Sequence, residues 1–295
     1  MKCYIIINAF RIPRESVFGA ERIKTELELL GVDTEIISDG ARRVALKNGS
    51  ITQTLGKDGF VVFLDKDKYL SSSLEKSGVR LFNRHDAVRV CDDKAETYIA
   101  LSGKGFNMPD TIFGALCFSS DCVIEDTAVD GIANALGYPV IVKESFGSMG
   151  KGVYKADDRQ SLIKIMEQVK LKPHLFQKFI PTASGKDVRI IVIGGKAVAC
   201  MERANATDFR SNIAKGGTGR AITPSAEFID TAERVCKELG LDYGGVDLLY
   251  GEDGKPVLCE VNSNAFFLGM EKTTGINVAK IYAEYMIDQM KKSAR

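Results

Sequence analysis

Histidine is scarce in this chain of 295 residues, which contains only His85 and His174. Hydrolases that pair a nucleophilic Ser or Cys with a His need that His beside the nucleophile, and neither residue stands in a recognisable setting. His85 follows an Asn-Arg pair and His174 follows Pro173, so both are predicted to lie on the surface or in loops. An enzyme built from this sequence would therefore rely on residues other than histidine.

Paired cysteine spacing and an excess of charge are also absent. The seven cysteines are scattered without a Cys-x-x-Cys motif, which predicts reduced thiols that act as small buried hydrophobes in a cytoplasmic protein. A net charge of +1 gives no reason to expect nucleic acid or an anionic membrane as the main partner. No apolar stretch approaches the length that spans a bilayer. Any phosphate binding must therefore be local.

The patterning predicts an α/β protein of two or three lobes. At 45% hydrophobic and 27% charged residues, the chain can bury a large core. A buried strand at 3–7, a helix at 16–30 and a strand at 32–37 form a βαβ opening. Further strands at 59–64 and 79–82 complete a small parallel-sheet lobe. A charged helix through Leu101, a helix at 126–136 and a strand at 139–143 follow.

A hairpin near the C-terminus sets acidic groups against each other. Two apolar runs flank Asp253-Gly254, which predicts a two-residue type I′ turn because both central residues must tolerate positive φ. In that register Asp247 lies opposite Glu260, and Asn262 points to the same face. Like charges paired this way repel, and a cation between these oxygen ligands, Mg²⁺ by preference, would explain both. The alternative is a solvated strand face whose charges splay apart, and the hairpin alone leaves both open.

A glycine-rich stretch, Glu144 to Val153, lies between two predicted strands. Glycine removes the steric barrier to close approach, so backbone amides in such a loop can wrap phosphate oxygens. It is not a Walker A loop, which would need Gly at Ser145 and Ser or Thr at Gly152. No glycine cluster fits the dinucleotide fingerprint either. A mobile flap and an ordinary flexible hairpin remain as the two interpretations.

Polar residues recur along the chain in one order, and this order carries a resemblance. The set is Lys94, Lys143, the glycine-rich stretch, Gln177-Lys178-Phe179-Ile180, Asp187-Val188-Arg189, Glu202-Arg203, Asp208-Phe209-Arg210-Ser211-Asn212, Asp247, Glu260 and Asn262. With Glu271-Lys272-Thr273-Thr274-Gly275-Ile276, it resembles the ATP-grasp superfamily, and specifically its RimK-type glutamate ligase branch. The resemblance covers roughly Leu81 to the C-terminus.

The resemblance implies an ATP-grasp fold whose α+β lobes clamp a nucleotide. The predicted domains are a parallel-sheet pre-ATP-grasp lobe at 1–88, a central lobe at 89–180 that carries the glycine-rich flap, and a C-terminal lobe at 181–295 that carries the metal site. The cofactors implied are ATP and Mg²⁺, with two ions expected and Mn²⁺ as an alternative.

Residue roles follow from the same resemblance. Lys94 and Lys143 would hold the phosphates under a flap of Gly147, Ser148, Met149 and Gly150. Gln177, Lys178, Phe179 and Ile180 would meet adenine mainly through backbone groups, although Lys178 stands where the family commonly has an acidic residue. Asp187 would face the ribose or, alternatively, cap a turn. The predicted metal ligands are Asp247, Glu260 and Asn262.

Three arginines are candidates to bind substrate carboxylates, because a guanidinium fork pairs with them bidentately. Arg210, with Ser211 and Asn212, matches the family best, Arg203 comes next, and Arg189 could serve as an internal strut. Each could equally be a surface ion-pair residue. Arg203, Arg210 and Asn212 are the predicted catalytic residues, and Asn83 is a weaker candidate for acceptor contact.

The resemblance implies an ADP-forming ligase that makes an amide through an acyl phosphate, with glutamate as the expected amine. The segment from Ser263 to Met270 departs from the ribosomal-protein-modifying RimK pattern, and Phe266 and Phe267 could line an acceptor pocket or pack in the core. A small-molecule or peptide acceptor is therefore preferred. Two alternatives stay open: an ATP-binding scaffold without catalysis, and a phosphoryl-transfer enzyme that stops at the acyl phosphate. Homo-oligomerisation stays open too, although the helix from Val278 is expected to pack on its own core.

Overall fold

A four-stranded parallel sheet forms the N-terminal part of the chain. The computed structural model describes residues 1–10, 14–38, 43–56, 59–212 and 216–293, with side chains in the second range from residue 17 onward. The elements are β1 Lys2–Ile6, α1 Arg14–Leu29, β2 Asp33–Ile37, β3 Val44–Lys47, β4 Ser50–Gln53, β5 Gly59–Phe63, α2 Lys68–Lys76 and β6 Arg80–Phe82. The sheet order is β2-β1-β5-β6, and β3 pairs with β4 as a separate hairpin. Because β1 and β5 are buried along nearly their whole length, they read as continuous apolar runs, and the predicted βαβ opening is confirmed.

Two short helices follow, α3 His85–Asp92 and α4 Lys94–Leu101. The Asp93 side chain caps α4 by accepting hydrogen bonds from the N–H groups of Ala95 and Glu96. Apolar residues of both helices, including Cys91 and Leu101, join the hydrophobic core of the C-terminal sheet. Lys94 at the start of α4 is therefore fixed to the C-terminal part of the molecule. The predicted boundary at 88/89 falls inside α3, and the division into three domains stays a prediction.

The central sheet has its own core. Its elements are β7 Thr111–Phe113, α5 Asp126–Leu136, β8 Val140–Glu144, β9 Val153–Ala156, α6 Arg159–Val169 and β10 His174–Lys178. The sheet order is β7-β10-β8-β9, with all three pairings antiparallel. The core residues come from α5, α6 and the sheet and lie between residues 112 and 176. This lobe can therefore pack without apolar help from the rest of the chain.

A five-stranded antiparallel sheet forms the C-terminal part, in the order β13-β12-β11-β14-β15. Its elements are β11 Lys186–Ile193, β12 Lys196–Ala204, β13 Thr218–Ala221, α7 Ala226–Glu238, β14 Tyr243–Tyr250, β15 Pro256–Asn262, α8 Leu268–Thr274 and α9 Val278–Ser293. A short 3-10 turn at Pro181–Ala183 leads into it from the central sheet. One face carries α7, and the opposite face shares a core with α9 and the N-terminal sheet.

The N-terminal and C-terminal sheets are joined through α1 and α9. Buried residues of both helices, such as Ile23 and Tyr282, share one core with strands of both sheets. Arg22 adds polar contacts across the junction, to Glu271 at 3.3 Å and to Asn277 Oδ1 at 2.7 Å. The expected packing of the helix from Val278 on its own core is thus observed, although that helix continues to Ser293.

The structure corrects two expectations about single residues, those for His174 and Cys122. His174 is buried in β10, where its ring meets Phe176 edge-on and Nδ1 lies 2.7 Å from the Lys172 carbonyl. His85 begins α3 and contacts Ser71 Oγ at 2.9 Å. Cys122 is exposed, whereas Cys3 and other cysteines are buried as expected.

Asn83 is not a free acceptor contact. Its side chain is 2% exposed, and Nδ2 donates to the carbonyls of Tyr243 and Ser263 at 2.8 and 2.7 Å. Its Oδ1 accepts from the N–H groups of Asp242 and Tyr243. Since the amide uses both donors within the protein, Asn83 instead ties the N-terminal lobe to the C-terminal sheet.

Across the described residues, no helix has the combined length and apolarity needed to traverse a bilayer.

Candidate active site

The acidic hairpin has the predicted pairing but not the predicted turn. Asp247 pairs with Glu260 across β14 and β15. The chain reverses through a three-residue loop closed by Gly251 N–H donating to Lys255 O at 2.8 Å, and Gly254, with φ of +76°, is its left-handed residue. Asp253 does not have positive φ, so the type I′ prediction is wrong.

A β-bulge at Cys259 explains why the pairing survives. Leu248 pairs with Leu258, but Asp247 pairs with Glu260, so Cys259 is the extra residue. Because of the bulge, Cys259 and Glu260 are adjacent in sequence and both line the same cleft, while Leu258 stays in the core. The longer turn and the bulge each shift the register by one residue in opposite directions, and the shifts cancel at Glu260.

Tyr98 of α4 supports the bulge. Its hydroxyl lies 3.1 Å from the carbonyl of Leu258 and 3.0 Å from that of Cys259. Burial raises the pKa of Tyr98 to about 12, so its proton remains available for donation at any ordinary pH. The Leu258 N–H donates to Asn107 O at 2.9 Å. The polar backbone groups that the bulge removes from the strand ladder thus find partners on α4 and the loop after it.

Two arginines and two aspartates form a buried network beside the hairpin. Arg189 faces Asp247 across β11 and β14, and Asp187 faces Arg203 across β11 and β12. Arg189 binds both oxygens of Asp247 at 2.7 Å, and Arg203 Nη2 reaches Asp247 Oδ2 at 2.9 Å while its Nε binds Asp187 Oδ1 at 2.7 Å. Burial alone would raise the pKa of Asp247, but Arg189 and Arg203 outweigh burial and hold this pKa below its ordinary value. Asp247 is therefore ionised at neutral pH.

These contacts show where the two arginines point. Arg203 is 3% exposed, and its guanidinium binds Asp187 and Asp247. Arg189 binds Asp247 and so acts as an internal strut, which was one of its expected roles. Asp187 is 4% exposed and also accepts from Ser211 Oγ at 2.5 Å. Both guanidinium groups are thus paired with internal carboxylates of the described residues and do not point toward a substrate carboxylate.

Lys94 and Lys143 approach the hairpin from two different lobes. Lys94 Nζ lies 3.3 Å from Glu260 Oε1, and Lys143 Nζ lies 3.8 Å from Cys259 Sγ. Burial opposes the charge of Lys143, yet Cys259, Tyr98 and Glu260 around it prevail and raise the pKa of Lys143 above its ordinary value. Both side chains are at most 8% exposed, so the cleft holds two buried ammonium groups next to one carboxylate.

The glycine-rich flap between β8 and β9 closes over these groups. Lys94 Nζ donates to Gly147 O at 3.0 Å, and Arg210 Nη1 donates to Gly150 O at 3.0 Å. Met149 and Gly150 have φ of +58° and +70°. A Cβ on Gly150 would lie 2.7 Å from Asn212 Oδ1, so glycine is required here for the close approach of the flap to the 208–212 segment. Arg210 is itself held by Asp208, which raises the pKa of the guanidinium.

The segment between the lobes forms the remaining wall. Gln177 is 1% exposed and donates to Thr111 Oγ1 at 2.9 Å, so its side chain is used within the central sheet. Lys178 points to solvent, 3.9 Å from Asp110. Phe179 and Ile180 follow it along the cleft wall. The side chains of Gln177 and Lys178 are therefore engaged elsewhere, and contact between the backbone of this segment and a base stays a prediction.

One cleft collects most of the predicted site residues. Among the described residues that line it, seven are cationic and three are acidic; they are Lys94, Lys143, Lys151, Lys178, Lys186, Arg203 and Arg210 against Asp187, Asp247 and Glu260. Of the predicted residues, Met149, Arg189 and Asn262 are not among those that line it. A polyanion suits this excess of positive charge.

Sequence reasoning missed several lining residues. Leu249 follows Asp247 by two positions, so strand alternation could have identified it. Lys151 and Lys186 carried no signal beyond their charge. Cys259 could not be found by alternation, because only the bulge turns it toward the cleft.

The fold and this geometry can be compared with known proteins. Residues 91–286 match the family described as the RimK-like ATP-grasp domain. The probable alpha-L-glutamate ligase of Maridesulfovibrio salexigens is 36% identical over 224 residues, which cover 75% of this chain and 70% of that protein. The chain belongs to the RimK-like ATP-grasp family. This confirms the resemblance that the ordered motifs carried.

Two eukaryotic relatives show a similar level of identity. N-acetylaspartylglutamate synthase A of Homo sapiens is 37% identical over 225 residues, and beta-citrylglutamate synthase B of Danio rerio is 35% identical over 226 residues. The matches cover 75% and 76% of this RimK-like chain but only 56% and 54% of those proteins. The chain thus spans little more than half the length of these curated relatives.

Solved structures confirm the predicted ATP-grasp fold. The RimK domain ATP-grasp protein of Sphaerobacter thermophilus superposes with a TM-score of 0.71 at 20% identity, covering 97% of this chain and 99% of that one. The D-alanine–D-alanine ligase of Bacillus anthracis gives a TM-score of 0.73 at 18% identity, with 99% and 98% covered. At this level of sequence identity, the structural similarity supports the fold only.

The residues of this RimK-like chain fit a hard divalent cation. No group of three or more His, Cys, Asp or Glu side chains is arranged for a metal in the part of the chain that the structure describes. The candidate set instead combines the Asp247 and Glu260 carboxylates with the Asn262 amide, whose Nδ2 is buried and has no hydrogen-bond partner among the described residues. An amide can exchange its two ends by rotation, so the same buried position can present Oδ1. Three of about four acceptor positions of Asp247 are taken by arginines, which leaves one on Oδ1.

Proposed function

We propose that this protein is a Mg-ATP-dependent carboxylate–amine ligase that forms an amide through an acyl phosphate. The observation that carries the proposal is the convergence of Lys94, Lys143 and the flap on the paired Asp247 and Glu260 inside one positively charged cleft. Membership of the RimK-like ATP-grasp family supports it.

The proposed reaction has two steps. A carboxylate oxygen of the first substrate attacks the γ-phosphorus of ATP, and the bond to the β,γ-bridging oxygen breaks to release ADP. The amine nitrogen of the second substrate then attacks the acyl carbon of the acyl phosphate, inorganic phosphate leaves, and the nitrogen loses a proton. Neither step needs a covalent enzyme nucleophile, in agreement with the few histidines of the sequence.

The residues of the cleft would act by positioning and by charge. Lys94 and Lys143 hold fixed positive charge at the phosphates in a site shielded from water, where it stabilises the negative charge that develops on the transferred group. Arg210 links the flap to the 208–212 segment and so orders both. Asp247, Glu260 and Asn262 would hold magnesium, which when bound neutralises phosphate oxygens. Two ions, with manganese as an alternative, remain part of the proposal.

We propose glutamate as the amine substrate. The names of the three relatives each contain glutamate, as a ligated or incorporated moiety. A small-molecule or peptide carboxylate is proposed as its partner, because the two synthases are named for small products. The cytoplasmic location and the oligomeric state stay predictions.

The test is ADP formation by the purified protein with Mg²⁺ and ATP. Each amino acid of a panel is supplied with and without a set of small carboxylates and a small-molecule cell extract. Glu260→Gln serves as the blank, and Glu252→Gln, an exposed change in the adjacent turn, serves as the matched control. We expect ADP release that requires both glutamate and a carboxylate substrate, with full activity in Glu252→Gln.

Other outcomes separate the alternatives. ADP release with a carboxylate but without any amine would indicate phosphoryl transfer that stops at the acyl phosphate. Tight ATP binding without ADP release under every condition would indicate a nucleotide-binding scaffold. Unchanged turnover in both Asp247→Asn and Glu260→Gln would exclude the proposed metal site.

A further inference from the structure

Two cysteines outside the cleft meet in one surface loop. Cys117 and Cys122 lie in the connection between β7 and α5, and a turn brings them together because Cys122 N–H donates to Ser119 O at 3.2 Å. The Cys117 thiol lies 2.8 Å from the same Ser119 carbonyl. The Cys117 thiol and the Cys122 backbone thus meet at one carbonyl group. The turn therefore makes the two cysteines neighbours in space.

This loop is anchored from both sides by the end of α6. Cys117 N–H donates to the Lys170 carbonyl at 3.2 Å, and Lys170 Nζ donates to the Cys122 carbonyl at 2.7 Å. Lys170 thereby holds both cysteines and places a positive charge beside them. The geometry is fixed by backbone contacts, so it does not depend on either thiol.

The two thiols are not equivalent. Cys122 is exposed and Cys117 is half-buried. The neighbouring Cys117 thiol, with further help from the Ser119 backbone and Lys170, lowers the pKa of Cys122, whereas the pKa of Cys117 is raised. The thiols of Cys3, Cys91 and Cys236 differ from both. Burial shields each of them from solvent and raises its pKa. Cys122 is therefore the thiol best suited to react first.

We propose that Cys122 and Cys117 form a thiol–disulfide exchange site that takes small-molecule disulfides, with Cys122 as the attacking thiol and Cys117 as the resolving thiol. The Cys122 thiolate attacks one sulfur of the small disulfide, a mixed disulfide forms, and the other half leaves as a thiolate. Cys117 then attacks Cys122 Sγ, an intramolecular disulfide forms, and the second half leaves as a thiol. Two protein thiols are oxidised and one small disulfide is reduced to two thiols.

The experiment uses oxidised glutathione and intact-protein mass spectrometry on the full chain. Wild type is expected to lose two free thiols without retaining glutathione, and peptide mapping should place the disulfide between Cys117 and Cys122. Cys117→Ser is expected to retain one glutathione on Cys122, because the resolving thiol is missing. Cys122→Ser should react at least several-fold more slowly. Cys200→Ser, a half-buried cysteine of the C-terminal sheet, is the matched control and should behave as wild type.

Two results would overturn the proposal. One is wild type that keeps glutathione on Cys122, which would mean that Cys117 does not resolve the mixed disulfide. The other is Cys117→Ser without an adduct on Cys122, which would mean that Cys122 does not attack. Repeating the reaction in denaturant, where all seven cysteines are accessible, shows whether the selectivity belongs to the folded loop. Because both side chains lie at the surface, urea unfolding of each variant should match wild type.

Discussion

Asp247 shows how one side chain links the hairpin to the strands beside it. Its carboxylate is 2% exposed, and Arg189 and Arg203 both bind it. Arg203 in turn binds Asp187, so the two aspartates share one guanidinium. A buried charge without a partner costs far more than a buried pair, so the residues of this network depend on one another.

Arg203→Met removes the guanidinium that both aspartates share. We expect the free energy of unfolding to fall by about 3–5 kcal/mol, because two buried carboxylates then lose a partner. Urea unfolding measures the change. Arg220→Met is the control: its side chain is 74% exposed, it pairs with Glu202 at the edge of the sheet, and its loss should cost at most about 1 kcal/mol. Equal losses in the two variants would contradict the importance of the network.

Sequence reasoning missed the internal role of Arg203 and could not choose between the roles left open for Arg189, for a physical reason. A guanidinium pairs with a substrate carboxylate and with an internal one in the same way. Only the registers of β11 against β12 and β14 show that internal carboxylates lie directly opposite Arg189 and Arg203. His174 was misjudged similarly, because the strand that buries it begins immediately after Pro173.

At the scale of elements, α4 and β15 act together. Lys94 at the start of α4 contacts Glu260, and Tyr98 one turn later donates to the bulge next to Glu260. The helix therefore sets both the charge beside Glu260 and the backbone that carries it.

Tyr98→Phe deletes the donor while keeping the ring. Two buried carbonyls lose their partner, so we expect a loss of about 1–3 kcal/mol in the free energy of unfolding. If the bulge relaxes, ADP formation should also require more Mg²⁺, and a magnesium titration of activity measures that shift. Tyr69→Phe, at a side chain that is 75% exposed, should change neither quantity. A Tyr98→Phe protein with wild-type stability would show that the bulge does not depend on this hydroxyl.

The flap offers a paired test of backbone conformation. Gly150→Ala places a Cβ 2.7 Å from Asn212 Oδ1 at φ of +70°, so the flap must shift away from the 208–212 segment. We expect ATP to bind about tenfold more weakly, which corresponds to ~1.4 kcal/mol. Isothermal titration calorimetry measures the affinity.

Gly131→Ala is the matched control. Gly131 lies within α5, and a Cβ there meets no atom within 4 Å. This change should leave ATP affinity unaltered and stabilise the protein by about 0.5–1 kcal/mol, because alanine favours the helix. Equal ATP affinity in Gly150→Ala and wild type would mean that the flap does not depend on this close approach.

Elements were more predictable from the sequence than the registers between them. The helix at 126–136 was predicted with the bounds it has, because its apolar spacing and the following Gly137 are local signals. The Asp247–Glu260 pairing was predicted correctly from an incorrect turn, since the three-residue loop and the bulge cancel. The proximity of Cys117 and Cys122 needed a turn that no sequence signal had marked.

The three large sheets of the molecule differ in whether they share a hydrophobic core. The N-terminal and C-terminal sheets share one core through α1 and α9, whereas the central sheet keeps its own. The contacts described across the cleft are mostly polar, including those of Lys94 with Gly147 and of Arg210 with Gly150. Lys94 belongs to one side of the cleft and Lys143 to the other.

A nucleotide bound by both lysines would hold the two sides together. We expect Mg-ATP to reduce the radius of gyration in small-angle scattering, and to stabilise the protein by about 2.7 kcal/mol at a concentration one hundred times the Kd. Lys143→Met should lose most of both effects. Lys196→Met, at a side chain that is 79% exposed, should retain them. A wild-type radius of gyration that does not change when Mg-ATP binds would indicate that the two sides do not move.

The path of the chain through the central sheet has a further consequence. The strands by which it enters and leaves, β7 and β10, pair side by side, and Lys178 N–H donates to Asp110 O at 3.0 Å. Topologically, residues 110–178 are an insertion whose two ends are neighbours. Excising this insertion would leave ends that a short linker can rejoin, and its separate core gives the excised piece the means to fold by itself. Residues 110–178 are thus a unit inserted into the rest of the chain, and the cleft lies between these two parts.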